Sequence, residues 1–284
     1  MLIELAYQQL QQKLEILYDK REASTIANWV IEHITGLKRM DRLLKKAVLL
    51  NEDQIEKLNK QTERLLNSEP VQYVLGEAWF AGNCFFVDPA VLIPRPETEE
   101  LIEWIKADDA MDPMHQILDI GTGSGCIPIT LKLYKPSSSI LSIDISAAAL
   151  LVAQQNATNL DAAINFKQID FLDQKNWTSF SQFDCIVSNP PYIKESERSS
   201  MSKNVTDFEP DIALFVPDND PLIFYRKIAE FGMEHLAKNG AIYLEINQSL
   251  GNDVCSLFQE IGYTTELRKD FMENDRMVKA KRII

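Results

Sequence analysis

Histidine is scarce in this chain: His33, His115 and His235 are its only three, and they stand far apart. Chemistry built on a His-ligated metal or a Ser-His-Asp relay has little to stand on. The four cysteines, Cys84, Cys126, Cys185 and Cys255, form no CxxC pair. They read as reduced side chains, not as zinc ligands or disulfide partners. No apolar run approaches the ~20 residues that span a bilayer, and the charged N-terminus lacks a signal-peptide core. The expectation is a cytoplasmic protein with no membrane association.

Positive charge is short as well. The net charge is -13, and residues 1–70 hold 11 Lys+Arg against 11 Asp+Glu, so the whole acidic excess falls in 71–284. Neutralised phosphates supply much of the affinity for nucleic acid. An acidic second part argues against DNA or RNA as substrate and suits a basic protein partner. Apolar residues are plentiful, at 45% of 284. That supports a substantial core and one large or two modest domains.

Residues 1–69 read as a small helical domain, a candidate for substrate docking. Apolar side chains recur at helical spacing in four groups: Leu2 to Leu17, Ile26 to Ile34, Leu43 to Leu49, and Ile55 to Leu66. Gly36 is a stop for the second group, and Asn51 with Gln54 forms a capping box for the fourth. Residues 70–97 change character. Pro70, Gly76, Gly82, Asn83 and Pro89 punctuate short aromatic and β-branched runs. Trp79-Phe80 and Phe85-Phe86-Val87 flank a turn, which predicts a β-hairpin linker. A helix containing Leu101, Ile102 and Ile105 follows, with Thr98 as its expected cap.

From residue 116 strands and helices alternate, the pattern of a mainly parallel sheet with helices on both faces. The strands are expected at 116–120, 140–145, 165–168, 185–188 and 241–246. A closing antiparallel pair is expected at 264–269 and 277–282. Four successive strand ends carry the chemistry. The first leads into Gly121-Thr122-Gly123-Ser124-Gly125, where glycines permit a sharp turn and a close ligand approach. The spacing misses the dinucleotide GxGxxG, because position 126 is Cys, and no Lys-Ser/Thr pair marks a P-loop. The second strand brings Asp144, an acceptor for the vicinal hydroxyls of a ribose. The third brings Asp170-Phe171, a polar group beside an aromatic face suited to an adenine ring. The fourth delivers Asn189-Pro190-Pro191-Tyr192, whose prolines end the strand.

Together these stretches resemble the class I S-adenosylmethionine-dependent methyltransferases that modify planar NH₂ groups. The segments Pro70-Val71-Gln72-Tyr73-Val74-Leu75-Gly76 and Val91 to Glu99 (VLIPRPETE) narrow the resemblance to the HemK/PrmC family of release factor glutamine N5-methyltransferases. The likeness covers essentially the whole chain. It implies a Rossmann-like α/β methyltransferase domain at 98–284, beside the helical domain and the linker, and S-adenosylmethionine as cofactor. Its protein substrate would be a peptide chain release factor, methylated in a Gly-Gly-Gln loop. Carried over by position, cofactor contacts fall to Gly121, Thr122, Gly123, Ser124, Gly125, Asp144, Phe171 and Asn189. Substrate contacts fall to Asn189, Pro190, Pro191 and Tyr192, with Asn189, Pro190 and Tyr192 as the catalytic set. Two positions depart from the family pattern. Pro128 interrupts the helix after the glycine loop, and Asn247 stands where glycine or histidine is more usual.

The expected mechanism needs no tuned base. A carboxamide nitrogen is a poor nucleophile because its lone pair is delocalised. A site helps by accepting hydrogen bonds from both NH₂ hydrogens, for which the Asn189 side-chain oxygen and the Pro190 carbonyl are suited. Tyr192 would stack on the amide plane. The runner-up is a nucleic-acid methyltransferase acting on adenine N6 or guanine N2, which shares the four-residue motif. An inactive adaptor of the same fold is a third reading, opposed by the intact glycine loop, Asp144 and Asn189–Tyr192.

Overall fold

The computed structural model describes residues 1–44, 48–108 and 116–283. The expected third helical group includes Ala47, and the histidine set includes His115; both lie outside the described residues. Two units emerge, Met1–Glu77 with Ser202–Phe208, and Ala78–Met201 with Glu209–Ile284.

The first unit is helical: α1 (Ile3–Leu14), α2 (Lys20–Thr35), α3 (Arg39–Leu44), α4 (Glu52–Leu66) and α5 (Val71–Leu75). Leu10, Leu14, Val30, Ile31, Leu58 and Leu65 bury one apolar face each of α1, α2 and α4 in a shared core. Burying each such side chain contributes about 1.5–3 kcal/mol. Gly36 ends α2 in the left-handed region at φ 67°, its N–H bonded to the Glu32 carbonyl. Asn51 and Gln54 form the expected capping box, an arrangement worth about 1 kcal/mol.

Two expectations need correction here. The group from Leu43 to Leu49 is not one helix. α3 ends at Leu44, and Val48 and Leu49 run extended, with Leu2 bridging Leu49 and the Ile3 N–H bonded to the Val48 carbonyl. Pairing with the N-terminal residues overrides the apolar spacing. Val71–Leu75, read as part of the β-hairpin linker, is a short helix. Pro70 opens it and Gly76 closes it at φ 72°, the usual asymmetry of helix ends.

The second unit opens with a hairpin, β1 (Ala78–Phe80) and β2 (Asn83–Phe85). Ala81 and Gly82 turn it, both at positive φ, as a two-residue loop requires. Phe86 and Val87 leave the strand. Helix α6 (Pro96–Ala107) then begins, with Pro96 in its first turn and Arg95 as the cap residue. Thr98 does not cap it; its hydroxyl turns to Glu245 instead.

The main sheet has seven strands. They are β3 (Gln116–Ile120), β4 (Ser139–Asp144), β5 (Asn165–Gln168), β6 (Phe183–Ser188), β9 (Leu236–Glu245), β10 (Tyr263–Lys269) and β11 (Asp275–Arg282). A two-residue parallel pair, β7 (Ile193–Lys194) and β8 (Phe215–Val216), stands apart from it. The sheet order is β10-β11-β9-β6-β3-β4-β5, parallel throughout except at the β11 pairings. Helices α7 (Cys126–Tyr134), α8 (Ala147–Asn159), α11 (Ile223–His235) and α12 (Gly251–Ile261) connect the strands; α9 (Lys203–Thr206) and α10 (Asp211–Leu214) are single turns. Leu118, Ile186 and Ile242 point into one apolar layer and Ile117, Cys185 and Ala241 into another. Burial on both faces is what a sheet covered on both sides requires.

Pro128 is the third residue of α7. Proline is tolerated in a first turn, where the N–H has no helical partner. The expected interruption does not occur. The order reverses at β3, which sends the chain to β4 on one side and later receives β6 on the other. Open α/β sheets bind ligands at such a switch point, outside the carboxyl ends of the strands.

Candidate active site

The loop after β3 and the motif after β6 meet at this switch point. Gly121, Gly123 and Gly125 all hold positive φ, at 77°, 53° and 80°. A Cβ added at Gly121 or Gly123 would meet no protein atom, whereas at Gly125 it would lie 3.0 Å from Ile129 Cδ1 and 3.1 Å from Ala153 Cβ. The first two glycines therefore border open space, and the third lets the start of α7 close against α8. Asp144 braces the loop. Its Oδ2 accepts the Gly123 N–H and its Oδ1 accepts the Ser146 N–H, both at 2.9 Å. The Ile145 N–H is a third backbone donor to this carboxylate, which still keeps acceptor capacity. Burial pushes the Asp144 carboxyl up, against the pull of those backbone donors. Ser146 caps α8 by accepting the Ala149 N–H.

One cavity of about 250 Å³ collects the site. Gly121, Thr122, Gly123, Ser124, Asp144, Phe171, Asn189, Pro190 and Pro191 line it, with Thr98 and Arg95. Gly125 and Tyr192 are not lining residues. Gly125 stands at the α7 start behind the loop, and Tyr192 turns toward Glu245. Phe171 lines the cavity and packs on Trp177 and Phe231, with ring centroids 5.5 and 5.3 Å away. That packing fixes the ring.

Sequence reasoning missed the support beneath the motif. Asn189 Nδ2 donates to Thr98 Oγ1 at 3.2 Å, and Thr98 Oγ1 donates to Glu245 Oε2 at 2.5 Å. The Tyr192 hydroxyl donates to Glu245 Oε1 at 3.1 Å. Burial, reinforced by Glu245, pushes the Tyr192 phenol up, so it stays protonated. Asn247, one of the two departures, donates from Nδ2 to the Tyr192 carbonyl at 3.2 Å and accepts the Ser249 N–H. Its side chain thus steadies the motif from the far side. Glu209, in the Phe208-Glu209-Pro210 segment that also fits the family, supports the cavity wall. It forms an ion pair with Arg95 at 2.6 Å and accepts the Ile93 N–H, pinning the segment that walls the cavity.

The residues present fit an S-adenosyl group. Two glycines leave room at the backbone, and a carboxylate with acceptor capacity to spare lines the same cavity, as a ribose diol would need. The fixed ring of Phe171 lines the same cavity. Among the described residues no cluster of His, Cys, Asp and Glu fits a metal ion, and no helix is long and apolar enough to cross a membrane.

Both parts of the chain match known families. A family model described as the PrmC N-terminal domain matches residues 4–76, and the methyltransferase small domain matches 97–207. A release factor glutamine methyltransferase of Flavobacterium psychrophilum is 41% identical over 284 residues, covering 99% of each chain. The chain belongs to the release factor glutamine methyltransferase family. A second member, from Bacteroides thetaiotaomicron, is 39% identical over 96% of this chain and 98% of its own. The fold is shared more widely than the family. The hMettl16 catalytic domain, solved in complex with the MAT2A 3'UTR hairpin 6, aligns with a TM-score of 0.56 at 15% identity. That alignment covers 85% of this chain and 86% of that one.

Proposed function

We propose that the cavity binds S-adenosylmethionine and that the protein methylates the side-chain amide nitrogen (N5) of a glutamine in a peptide chain release factor. The observation that carries this reading is the convergence of the glycine loop, Asp144 and Asn189–Pro191 on one cavity at the switch point, in a chain of this family. Bound there, the cofactor supplies a methyl group on a positively charged sulfur.

The remaining work falls to the chain's own residues. Gly121 and Gly123 admit the cofactor close to the backbone, Asp144 receives the ribose hydroxyls, and Phe171 bears on the adenine. Asn189 Oδ1 and the Pro190 carbonyl accept the two hydrogens of the glutamine NH₂, which aims the nitrogen without removing a proton. Orientation of this kind is worth about 7 kcal/mol or more. Pro190 suits the task because its carbonyl accepts and its nitrogen has no hydrogen to compete. Tyr192, neutral and anchored, backs the motif and helps to exclude water. The helical unit, Met1–Glu77, is the docking domain for the body of the release factor, and the hairpin and the sheet after it form the methyltransferase part. The reaction takes place in the cytoplasm, where translation ends.

The acidic charge of 71–284 and the absence of a basic segment near the motif speak against a nucleic-acid substrate. Incubation with methyl-labelled cofactor and, separately, release factor, RNA and DNA tests the proposal. Label is expected in the release factor alone; label in RNA or DNA with none in the release factor would refute it.

A further inference from the structure

Glu245 is the last residue of β9, and its strand lies directly beside β6, with Ser188 opposite Leu244. Its side chain is fully buried, and it does not line the cavity. It touches neither reactant, yet both polar members of the motif lead to it. The Thr98 hydroxyl has a single hydrogen, and that hydrogen goes to Glu245 Oε2. Toward Asn189 the same oxygen can only accept. The Asn189 amide must therefore turn its NH₂ to Thr98, which leaves Oδ1 as the amide atom available to the cavity. A flipped amide would set NH₂ against the NH₂ of an incoming carboxamide, donor against donor.

Resting on the methyl-transfer reading above, we propose that Glu245 is a positioning residue whose ionised carboxylate sets the Asn189 amide orientation through Thr98. Its other oxygen holds the Tyr192 ring by the hydroxyl. Only a carboxylate can accept at both oxygens at once; a glutamine accepts at one and donates at the other. The groups facing it are Arg276 from β11, Glu97 and Thr98 from α6, Cys126 at the start of α7 and Tyr192 from the motif. Tyr225 from α11 donates to its backbone carbonyl at 3.3 Å. Burial pushes the carboxyl up, while the hydroxyls of Thr98 and Tyr192 and the Arg276 charge pull it down. Once protonated, Glu245 can donate to Thr98. The Thr98 hydrogen is then free to turn to Asn189 Oδ1, and the amide reverses.

The test compares wild type with Thr98→Val, Thr98→Ser and Glu245→Gln. Calorimetry with S-adenosylmethionine reports folding and cofactor affinity, kinetics on a release factor report kcat and KM, and ¹⁵N NMR of the cofactor-free protein follows the Asn189 side-chain NH₂ with pH. Thr98→Val should lower kcat about tenfold or more, the worth of one charge-linked hydrogen bond, a larger change than in cofactor affinity. Thr98→Ser should restore it. The Asn189 signal should move on acidification in wild type and stay fixed in Thr98→Val. Wild-type kcat in Thr98→Val, or an Asn189 signal that ignores acid in wild type, would overturn the proposal. Should Glu245→Gln fail to fold, the Thr98 pair still decides. A wild-type protein that leaves release factor unmethylated would instead defeat the functional reading, and the NMR comparison would still judge the relay.

Discussion

Asn156 grips Phe86 like a neighbouring strand: its Oδ1 accepts the Phe86 N–H at 2.7 Å and its Nδ2 donates to the Phe86 carbonyl at 2.9 Å. The same nitrogen donates to the Ser124 carbonyl at 2.9 Å. One buried amide on α8 thereby joins the end of the hairpin to the glycine loop. Asn156→Ala would leave three backbone groups unpaired, with a cost of about 1–3 kcal/mol for each one that water cannot reach. Chemical denaturation should show a loss of roughly 2–5 kcal/mol. Cofactor affinity should fall too, because the Ser124 turn loses its anchor.

The glycines of the loop should separate by role. Gly125→Ala forces a side chain into the left-handed region and against Ile129 and Ala153, which predicts a stability loss of about 2–4 kcal/mol. Gly121→Ala carries only the conformational cost of about 1–2 kcal/mol, since nothing stands in the way of its Cβ. Its larger effect should be on cofactor binding. Denaturation midpoints and calorimetric affinities on the two variants distinguish these outcomes.

Asp119, wholly buried at the end of β3, accepts from the Ser142 hydroxyl at 2.6 Å. Desolvation pushes its carboxyl up to about 7, against the hydrogen bonds of Ser142 and Thr122. The folded value lies above the ordinary 3.8, so the folded state holds the proton more tightly than the unfolded chain. Its contribution to stability is therefore full below about 3.8 and is lost as pH rises through about 7. Asp119→Asn removes that dependence. Without cofactor, the variant should melt several degrees above wild type at about pH 8, and the gap should narrow by about pH 5.

Asp144 and Asn189 line the same cavity and should fail differently. Asp144→Ala removes the ribose acceptor and the brace on Gly123, and should weaken cofactor binding about tenfold to a hundredfold. Asn189→Ala should leave cofactor affinity within about twofold and lower turnover by about two to three orders of magnitude, as loss of a preorganised contact does. Calorimetry paired with turnover resolves the two. An unchanged affinity in Asp144→Ala would remove it from the ribose.

The main lines of the fold were legible because its signals are local. Alternating strands and helices, Gly121 to Gly125 at a strand end, and the strand-stopping Pro190-Pro191 each declare themselves within a few residues. The supports of the site were not. Thr98 and Glu245 are 147 positions apart, and nothing in the spacing near either announces the pairing. The cap rule even misassigned Thr98, because Pro96 already starts the helix and frees the hydroxyl for a distant carboxylate. Val48 and Leu49 were misread for a related reason: their partners are at the N-terminus, and apolar periodicity cannot register them. Asn247 departs from the family pattern, and its bond to the Tyr192 carbonyl depends on β9 running beside the strand that carries the motif, which its neighbours in sequence do not declare.

On this reading the amide nitrogen of a release factor glutamine accepts the methyl group. Mass spectrometry of the release factor after incubation with this protein and S-adenosylmethionine tests it most directly. A single added methyl group is expected on the peptide with the Gly-Gly-Gln loop, with fragment ions placing it on the glutamine side chain. The Asn189→Ala variant should leave that peptide unmodified over the same interval. An unmodified glutamine with the wild-type protein, or a methyl group on another side chain, would contradict it.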